Sequence, residues 1–376
     1  MIIKRIYDNL AKYLKPNKVL VIYGPRQAGK TTLLNNFLKN TGLKYKLDSG
    51  DNIGTRAVLS SEDFDKIKEY AADCELLVID EAQRVPKVGL GLKIIVDQIP
   101  GIKVIVTGSS SFELRSQIGE PLTGRKRTLL LYPVAQIELL AHYNRYELKQ
   151  RLEDFLIFGS YPSVVAAETR NKKREIAEEL AEAYLLKDVL ALEKIKGEEK
   201  LWKLLRLLAF QVGQEVSQNE IATQLGISVP TVGRYLDLLG KSFVIFPLGS
   251  YSRNLRNEVT GKRKYYFFDN GIRNAVISQF NHLEKREDVG KLCENFIVVE
   301  RLKKRAYKNI YGQSYFWRTY GGQEIDLVEE RDGKIWAYEC KWSPSKKVQP
   351  PKEWLKNYPK TEFKVINNEN YLDFIL

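Results

Sequence analysis

The chain has 376 residues, 44% of them hydrophobic, with a net charge of +13 and a pI near 9.3. At ~100–200 residues per domain this is material for two to four packed domains, and the positive balance favours an anionic partner such as nucleic acid or a membrane surface. Cys74, Cys293 and Cys340 form no C-x-x-C pair and His142 and His282 are the only histidines, so neither a structural zinc site nor a disulfide framework is signalled. The opening MIIKRIYDNLAKYL reads as an amphipathic helix with charges throughout, unlike a signal peptide, and no apolar run approaches the ~20 residues of a membrane helix. The expectation is a reduced, soluble, cytoplasmic protein with no membrane partner.

In chain order, KVLVIY (18–23) is a short apolar run of buried-strand type, and KTTLLNNFL continues as a helix. KYKLD (44–48) is a candidate strand, and SEDFDKIKEY a helix with Ser61 as its cap. CELLVIDEA, IKVIVTGSSS and TLLLYP (128–133) are further strands. Strands alternating with helices predict a parallel sheet covered on both faces, an α/β core over residues 1–140. Beyond about residue 135 helices dominate: QIELLAHY, ELKQRLEDFLIF and a charged stretch from about 168 to 197. We assign 141–198 as a helical lid or connector. KLWKLLRLLAFQVG, SQNEIATQLG and SVPTVGRYLDLLG then read as three helices with short turns, in a winged-helix-like module over 199–258. KYYFFD, SYFWRTY, QEIDLVEE and KIWAYECKW are strands of a last α/β domain, 259–376. SPSKKVQPPKEW (343–354) is the proline-rich loop among them.

GPRQAGKT (24–31) fits G-x-x-x-x-G-K-[ST] with a strand before it and a helix after it. Gly24 and Gly29 let the backbone curl so that the N–H groups of Pro25's successors Arg26, Gln27 and Ala28 face phosphate oxygens. The helix start at Lys30, Thr31 and Thr32 adds its positive dipole end. Lys30 suits the β- and γ-phosphates, and Thr31 offers a hydroxyl to Mg²⁺. Asp80, closing the apolar strand LLVID, would hold the magnesium, and Glu81 would orient and deprotonate the attacking water. No N-K-x-D follows, so ATP is preferred over GTP. Ser109, in the turn after VIVTG, either senses the γ-phosphate or caps a helix. Arg125 of LTGRKR either serves the nucleotide of a neighbouring subunit in a homo-oligomer or is a solvated basic turn; Arg26 and Arg115 are weaker candidates.

GPRQAGKT, VIDEAQ, VTGSSSFEL and LTGR resemble, in order and spacing, the predicted AAA+ ATPases of bacteria and archaea that carry a C-terminal domain of restriction-endonuclease-like type. The likeness continues through GSYPSVV (159–165), YLLKDVL (184–190), TVGRYLDLLGKSFVIFPL (231–248), KYYFFDNGIRNAV (264–276) and EIDLV…YECKW, and so covers most of the chain. It implies a P-loop NTPase core of AAA+ type, a helical lid, a winged-helix module and a nuclease-like C-terminal domain. No second arginine sensor stands out in the lid.

Two rear segments bear on a nucleic-acid partner. SQNEIATQLGISVPTVGRYLDLL has helix–turn–helix shape, with Gly226 at the turn and Ser228 capping the second helix; Ser228, Thr231 and Arg234 would face DNA, or the module would serve packing and protein contact. The runs Lys172–Arg174, Lys262–Lys264 and Lys303–Arg305 could track phosphates or be solvated faces. In QEIDLVEERDGKIWAYECKW, Asp332-Gly333 is a two-residue hairpin turn, which sets Asp326 opposite Glu339 and Glu324 opposite Lys341 on one face. D…E-x-K is the pattern of the restriction-endonuclease-like nucleases. By that resemblance Asp326 and Glu339 bind Mg²⁺ with Glu294 from the preceding helix, and Lys341 acts on the water. The alternative is a hairpin that binds DNA or protein without cutting.

Overall fold

We analysed a computed structural model, which describes residues 3–108, 118–184, 198–252, 262–344 and 348–376. The chain divides into two compact units. One is Lys4–Pro133 with Lys241–Phe243; the other is Met1–Ile3, Val134–Gly240 and Val244–Leu376.

The first unit is built on five parallel strands: β1 (Lys18–Tyr23), β2 (Tyr45–Ser49), β3 (Leu76–Asp80), β4 (Lys103–Gly108) and β5 (Lys126–Leu130). Their spatial order is β2-β3-β4-β1-β5. Leu20 and Ile22 are buried as fully as Val19 and Val21. With both faces covered, the three central strands β1, β3 and β4 carry continuous apolar runs rather than alternation, which makes them legible in the sequence. Helices α1 (Lys30–Lys39), α2 (Ile53–Leu59), α3 (Phe64–Ala71) and α4 (Val88–Gln98) connect them, and Ile67, Leu92 and Ile95 close one core over Val19, Val21, Leu77 and Val104.

Two local expectations are corrected. Helix α3 is capped by Asp63, whose carboxylate accepts from the N–H groups of Asp65 and Lys66; Ser61 instead accepts from Asp63 N–H, one step outside the helix. The N-terminal segment forms only a four-residue 3-10 turn, Leu10–Tyr13. Arg5, which an amphipathic helix would leave in water, is buried and donates to the carbonyls of Ala28 and, at 2.7 Å, Tyr132. Those contacts hold the segment in an irregular path.

The second unit carries a seven-stranded mixed sheet, in the order β12-β11-β10-β9-β7-β8-β6. Its strands are β6 (Glu215–Val216), β7 (Ile245–Ser250), β8 (Arg263–Phe267), β9 (Gln313–Arg318), β10 (Glu324–Arg331), β11 (Lys334–Cys340) and β12 (Glu362–Ile366). The last of these was not foreseen. Its main helices are α5 (Leu152–Phe158), α6 (Arg170–Tyr184), α7 (Glu198–Phe210), α8 (Gln218–Leu225), α9 (Val229–Lys241), α10 (Asn270–Val276) and α11 (Val289–Tyr307). A large apolar core runs through this unit and includes Leu156, Leu204, Leu236, Phe267, Phe296 and Tyr371, and a smaller one packs Trp317, Ile325, Val328 and Trp354. The segments expected as lid, winged helix and C-terminal domain thus all contribute to one core. Strands β7, β8 and β6 pair antiparallel beside α7, α8 and α9, and β7 joins β9 in parallel.

Candidate functional site

The chain leaves β1 at Tyr23, turns through Gly24–Gly29 and enters α1 at Lys30. A Cβ on Gly24 would lie 2.0 Å from the Leu131 carbonyl oxygen, so only glycine lets the loop pass β5 this closely. Gly29 and Gln27 have φ of 93° and 54°, alternating the backbone as a concave row of N–H groups requires. Lys30 is buried, and its ammonium group donates to the carbonyls of Gly24 (2.9 Å) and Pro25 (2.7 Å). The lysine is therefore already directed back over the loop, where a phosphate would lie. Thr31 and Thr32 are exposed at the first turn of α1.

Strand β4 lies between β1 and β3, which brings three side chains together at the carboxyl ends of three strands. Thr31 Oγ1 donates to Asp80 Oδ2 at 3.1 Å, and Thr107 Oγ1 donates to Asp80 Oδ1. The Glu81 N–H is shared between Asp80 Oδ1 and Thr107 Oγ1. Glu81 has a left-handed backbone (φ 51°), and its carboxylate accepts from Gln83 Nε2 at 2.5 Å. Thr31 and Asp80 are hard oxygen donors already in register, which fits a magnesium ion. Thr107 belongs to the polar end of VIVTGSSS, where a polar side chain was expected to face the site; Gln83 joins the candidate site without having been singled out. Gln83 stood in the quoted DEAQ and follows Glu81 by two positions, but a polar residue there carries no signal without the turn geometry.

Ser109 and Arg115 lie outside the described residues. Arg125 pairs with Asp97 at 2.6 Å. It immediately precedes β5, whose Lys126 aligns with Val19 at the start of β1. The guanidinium thus sits at the amino ends of the strands, and a six-residue strand of ~20 Å separates that edge from the loop. Arg125 cannot serve the nucleotide of its own chain.

The C-terminal hairpin has the expected register. Leu327–Tyr338 through Arg331–Lys334 pair antiparallel, and Asp332 and Gly333 both have positive φ (49° and 71°), the two-residue turn of a tight hairpin. One step further, Asp326 stands opposite Glu339. The surroundings differ from the expectation. Lys264, on β8, is fully buried and ion-pairs with Glu324, with Glu294 at 3.7 Å and with Asp326 at 3.8 Å. Asp326 Oδ2 accepts from the Cys340 N–H at 2.8 Å, Glu294 from the Tyr266 hydroxyl at 2.7 Å, and Glu339 from Lys341 at 2.7 Å. Burial, then Asp326, pushes the Glu294 carboxyl up to about 8 and that of Glu339 up to about 7. Burial works against the Lys264 charge, but Glu294, Asp326 and Glu324 more than offset it and raise its pKa. Among the described residues no group of three or more His, Cys, Asp or Glu side chains is placed to hold a metal ion. The expected ligands Glu294, Asp326 and Glu339 come together in one neighbourhood, and the Lys264 ammonium group lies beside two of them, Glu294 and Asp326.

The basic runs are taken up in part: Lys173, Lys264, Lys303 and Arg305 are buried, whereas Lys172, Arg174, Lys262 and Arg263 are exposed. Lys173 is buried against Asp154 (2.7 Å), with Lys172 and Arg174 paired to Glu175 and Glu178. Lys303 is buried against Glu300 (2.7 Å), and Arg305 lies 3.7 Å from buried Glu329. Lys262 pairs with Glu215. On α9, Ser228 and Arg234 are exposed while Thr231 is half-buried, its hydroxyl 2.8 Å from that of Ser228. GSYPSVV and FFDNGIRNAV turn out to be one structural joint. Asp269 caps α10 and accepts from the Ser160 N–H at 2.6 Å, and Asn274 donates to the carbonyls of Leu156 and Ile157. YLLKDVL lies almost wholly outside the described residues.

A glycine-rich loop between β1 and α1, with an aspartate at the end of β3 hydrogen-bonded to the first turn of α1, is a candidate nucleotide site of Walker type. Residues 16–140 match the AAA domain family, residues 149–283 a domain of unknown function (DUF8612), and residues 289–373 another domain of unknown function (DUF4143). An uncharacterized protein of Mycobacterium tuberculosis is 25% identical over 335 residues, 88% of this chain and 72% of that protein. One of Methanocaldococcus jannaschii is 26% identical over 335 residues, covering 84% and 73%. One of Haemophilus influenzae is 25% identical over 351 residues, covering 87% and 83%. Among solved structures, a Walker-type ATPase of Pyrococcus abyssi aligns at 17% identity with a TM-score of 0.44, over 69% of this chain and 91% of that one. No helix among the described residues is long and apolar enough to cross a membrane.

Proposed function

We propose that the Lys4–Pro133 unit binds ATP with Mg²⁺ and hydrolyses it. The observation that carries this reading is the hydrogen-bonded chain from Thr31 through Asp80 to Thr107, set beside the loop lysine. On this reading the loop N–H groups and Lys30 take the phosphates, Lys30 exchanging the Gly24 and Pro25 carbonyls for phosphate oxygens. Thr31 and Asp80 hold the magnesium, which neutralises charge on the phosphates. Glu81 accepts the proton of the attacking water, with Gln83 fixing the carboxylate and Thr107 fixing Asp80. Phosphate release by the purified protein, lost in Lys30→Ala together with nucleotide binding, tests it; wild-type turnover in that variant refutes it.

The second unit reads as a winged-helix module joined to a restriction-endonuclease-like sheet, and DNA is the partner class we assign to it. The net charge of +13 and the α8–α9 pair support this, whereas Lys173, Lys264, Lys303 and Arg305 of the basic runs, being buried, do not. The binding this allows is modest, salt-dependent and weakly sequence-selective, since Arg234 is the cationic side chain α9 exposes between its ends. DNA-stimulated ATP turnover measured against salt concentration tests the coupling; absence of both binding and stimulation at low salt removes DNA from the account. Arg125, out of reach of its own nucleotide and paired with Asp97, is left with two readings, action on a neighbouring copy of the chain or a solvated basic turn. A reading of the second unit as a nucleotide-controlled binding module that does not cut is favoured by one observation, the buried Lys264.

A further inference from the structure

The hairpin pattern and Glu294 bring four carboxylates toward one spot on the second unit. Such a cluster is unstable unless positive charge is placed within it, because burial removes the water that would otherwise screen the repulsion. In an enzyme that cuts phosphodiesters the positive charge would be a divalent cation held directly by carboxylate oxygens at ~2.0–2.6 Å. Here β8 and α11 supply something else. Lys264 enters from β8 with its ammonium group fully buried, pairs with Glu324, and lies within 4 Å of Glu294 and Asp326, two of the three carboxylates expected to hold the metal. The remaining members are satisfied elsewhere: Tyr266 donates to Glu294, the Cys340 N–H to Asp326, and Lys341 to Glu339. Arg318 lies 3.8 Å from Glu324 on its other side. A divalent ion held by Glu294 and Asp326 together would meet the positive charge of the Lys264 ammonium, which lies 3.7 and 3.8 Å from those carboxylates. The residues present do not fit the metal.

We propose that the Lys264 ammonium group is the resident cation of this cluster, standing in the seat where the hairpin pattern calls for a divalent metal. The second unit then folds without metal and does not cut nucleic acid. The lysine does what a metal does for folding, by holding like charges together, but it offers no open coordination position and activates no water. Lys264 comes from the strand next to the one that ends the α8–α9 module, so the same residue ties that module's β7–β8 pair to the β9–β10 hairpin. The proposal rests on the nuclease-like reading of the hairpin and is independent of the ATPase reading.

The test uses the full chain carrying Lys30→Ala, so that the nucleotide loop does not contribute, with Mn²⁺ as the probe and a chelator as the reference. Expected are the same unfolding temperature in millimolar Mn²⁺ and in chelator, the same lack of response after Asp326→Asn, and no nicking of supercoiled plasmid. Lys264→Met is expected to unfold at lower temperature in chelator and to regain stability with Mn²⁺, the seat having been vacated; Lys264→Arg is expected to behave as the parent. A Mn²⁺-dependent rise in the parent that Asp326→Asn abolishes, or nicking that Lys341→Ala abolishes, overturns the proposal. So does a folded Lys264→Met that ignores Mn²⁺. Should Lys264→Met fail to fold, the parent and Asp326→Asn comparison decides alone.

Discussion

Glu81→Gln separates chemistry from binding at the nucleotide site. The substitution keeps the size and shape of the side chain and removes its ability to take a proton. In the structure the Glu81 carboxylate accepts one bond from Gln83 Nε2, and its N–H is held by Asp80 and Thr107. An amide can still accept from Gln83 through its oxygen, and the backbone bonds are untouched, so the left-handed turn survives. Thermal unfolding should match the parent within a degree or two, and a fluorescent ATP analogue should bind as before. Turnover loses the contribution of a positioned base, ~10²–10⁴-fold, or ~3–5 kcal/mol on the barrier. Because the lost interaction exists only in the transition state, kcat falls while nucleotide affinity stays. Phosphate release under single-turnover conditions measures it. A rate within a few-fold of the parent, or equal losses in binding and turnover, refutes Glu81 as the base.

Gly24→Ala puts a methyl group 2.0 Å from the Leu131 carbonyl oxygen. Displacement of the loop should cost ~1–3 kcal/mol of stability and weaken nucleotide binding, checked by denaturant unfolding and by titration of the analogue. Arg125→Ala breaks an exposed pair with Asp97 and should change stability by under ~1 kcal/mol. If Arg125 acts across a subunit boundary, mixing Arg125→Ala with Glu81→Gln restores turnover that neither variant shows alone. Asp288 accepts from Arg286 (2.8 Å) and Arg273 (2.5 Å). Its burial alone would raise its pKa, but the two guanidinium groups outweigh burial and hold the carboxyl down at about 2, against an ordinary 3.8. A carboxyl depressed in the folded state stabilises above its ordinary value, and that contribution is lost as pH falls through the folded one. Discounted for solvent screening of a partly exposed group, this is ~1–2 kcal/mol, present at neutral pH and lost between pH ~4 and ~2. Asp288→Asn should lower neutral stability by that amount and flatten the acid limb of the unfolding curve.

The nucleotide loop was legible because its parts are contiguous: strand, glycines, lysine and threonine follow one another, and local backbone geometry dictates them. Strand β3 and Asp80 were legible for a related reason, since a strand buried on both faces must read as an unbroken apolar run whose first polar residue marks its end. The hairpin register also came from the chain itself, because a two-residue turn leaves one pairing scheme. The N-terminal helix failed because periodicity cannot see that Arg5 is drawn to the carbonyls of Ala28 and Tyr132. That Thr107 of VIVTGSSS meets Asp80 depends on how β4 sits between β1 and β3, a matter of strand order and register.

Lys264 shows most directly what tertiary structure decided. In sequence it closes a run of three basic residues and looks solvated. In the fold, β8 lies inside a seven-stranded sheet, and the same side chain becomes the buried cation among carboxylates 30 to 62 positions away. Lys173, Lys303 and Arg305 were misread for the same reason. A charged residue's sign is written in the sequence, but whether its charge faces water or a carboxylate depends on which elements pack around it. That is settled only when distant strands and helices close on one core.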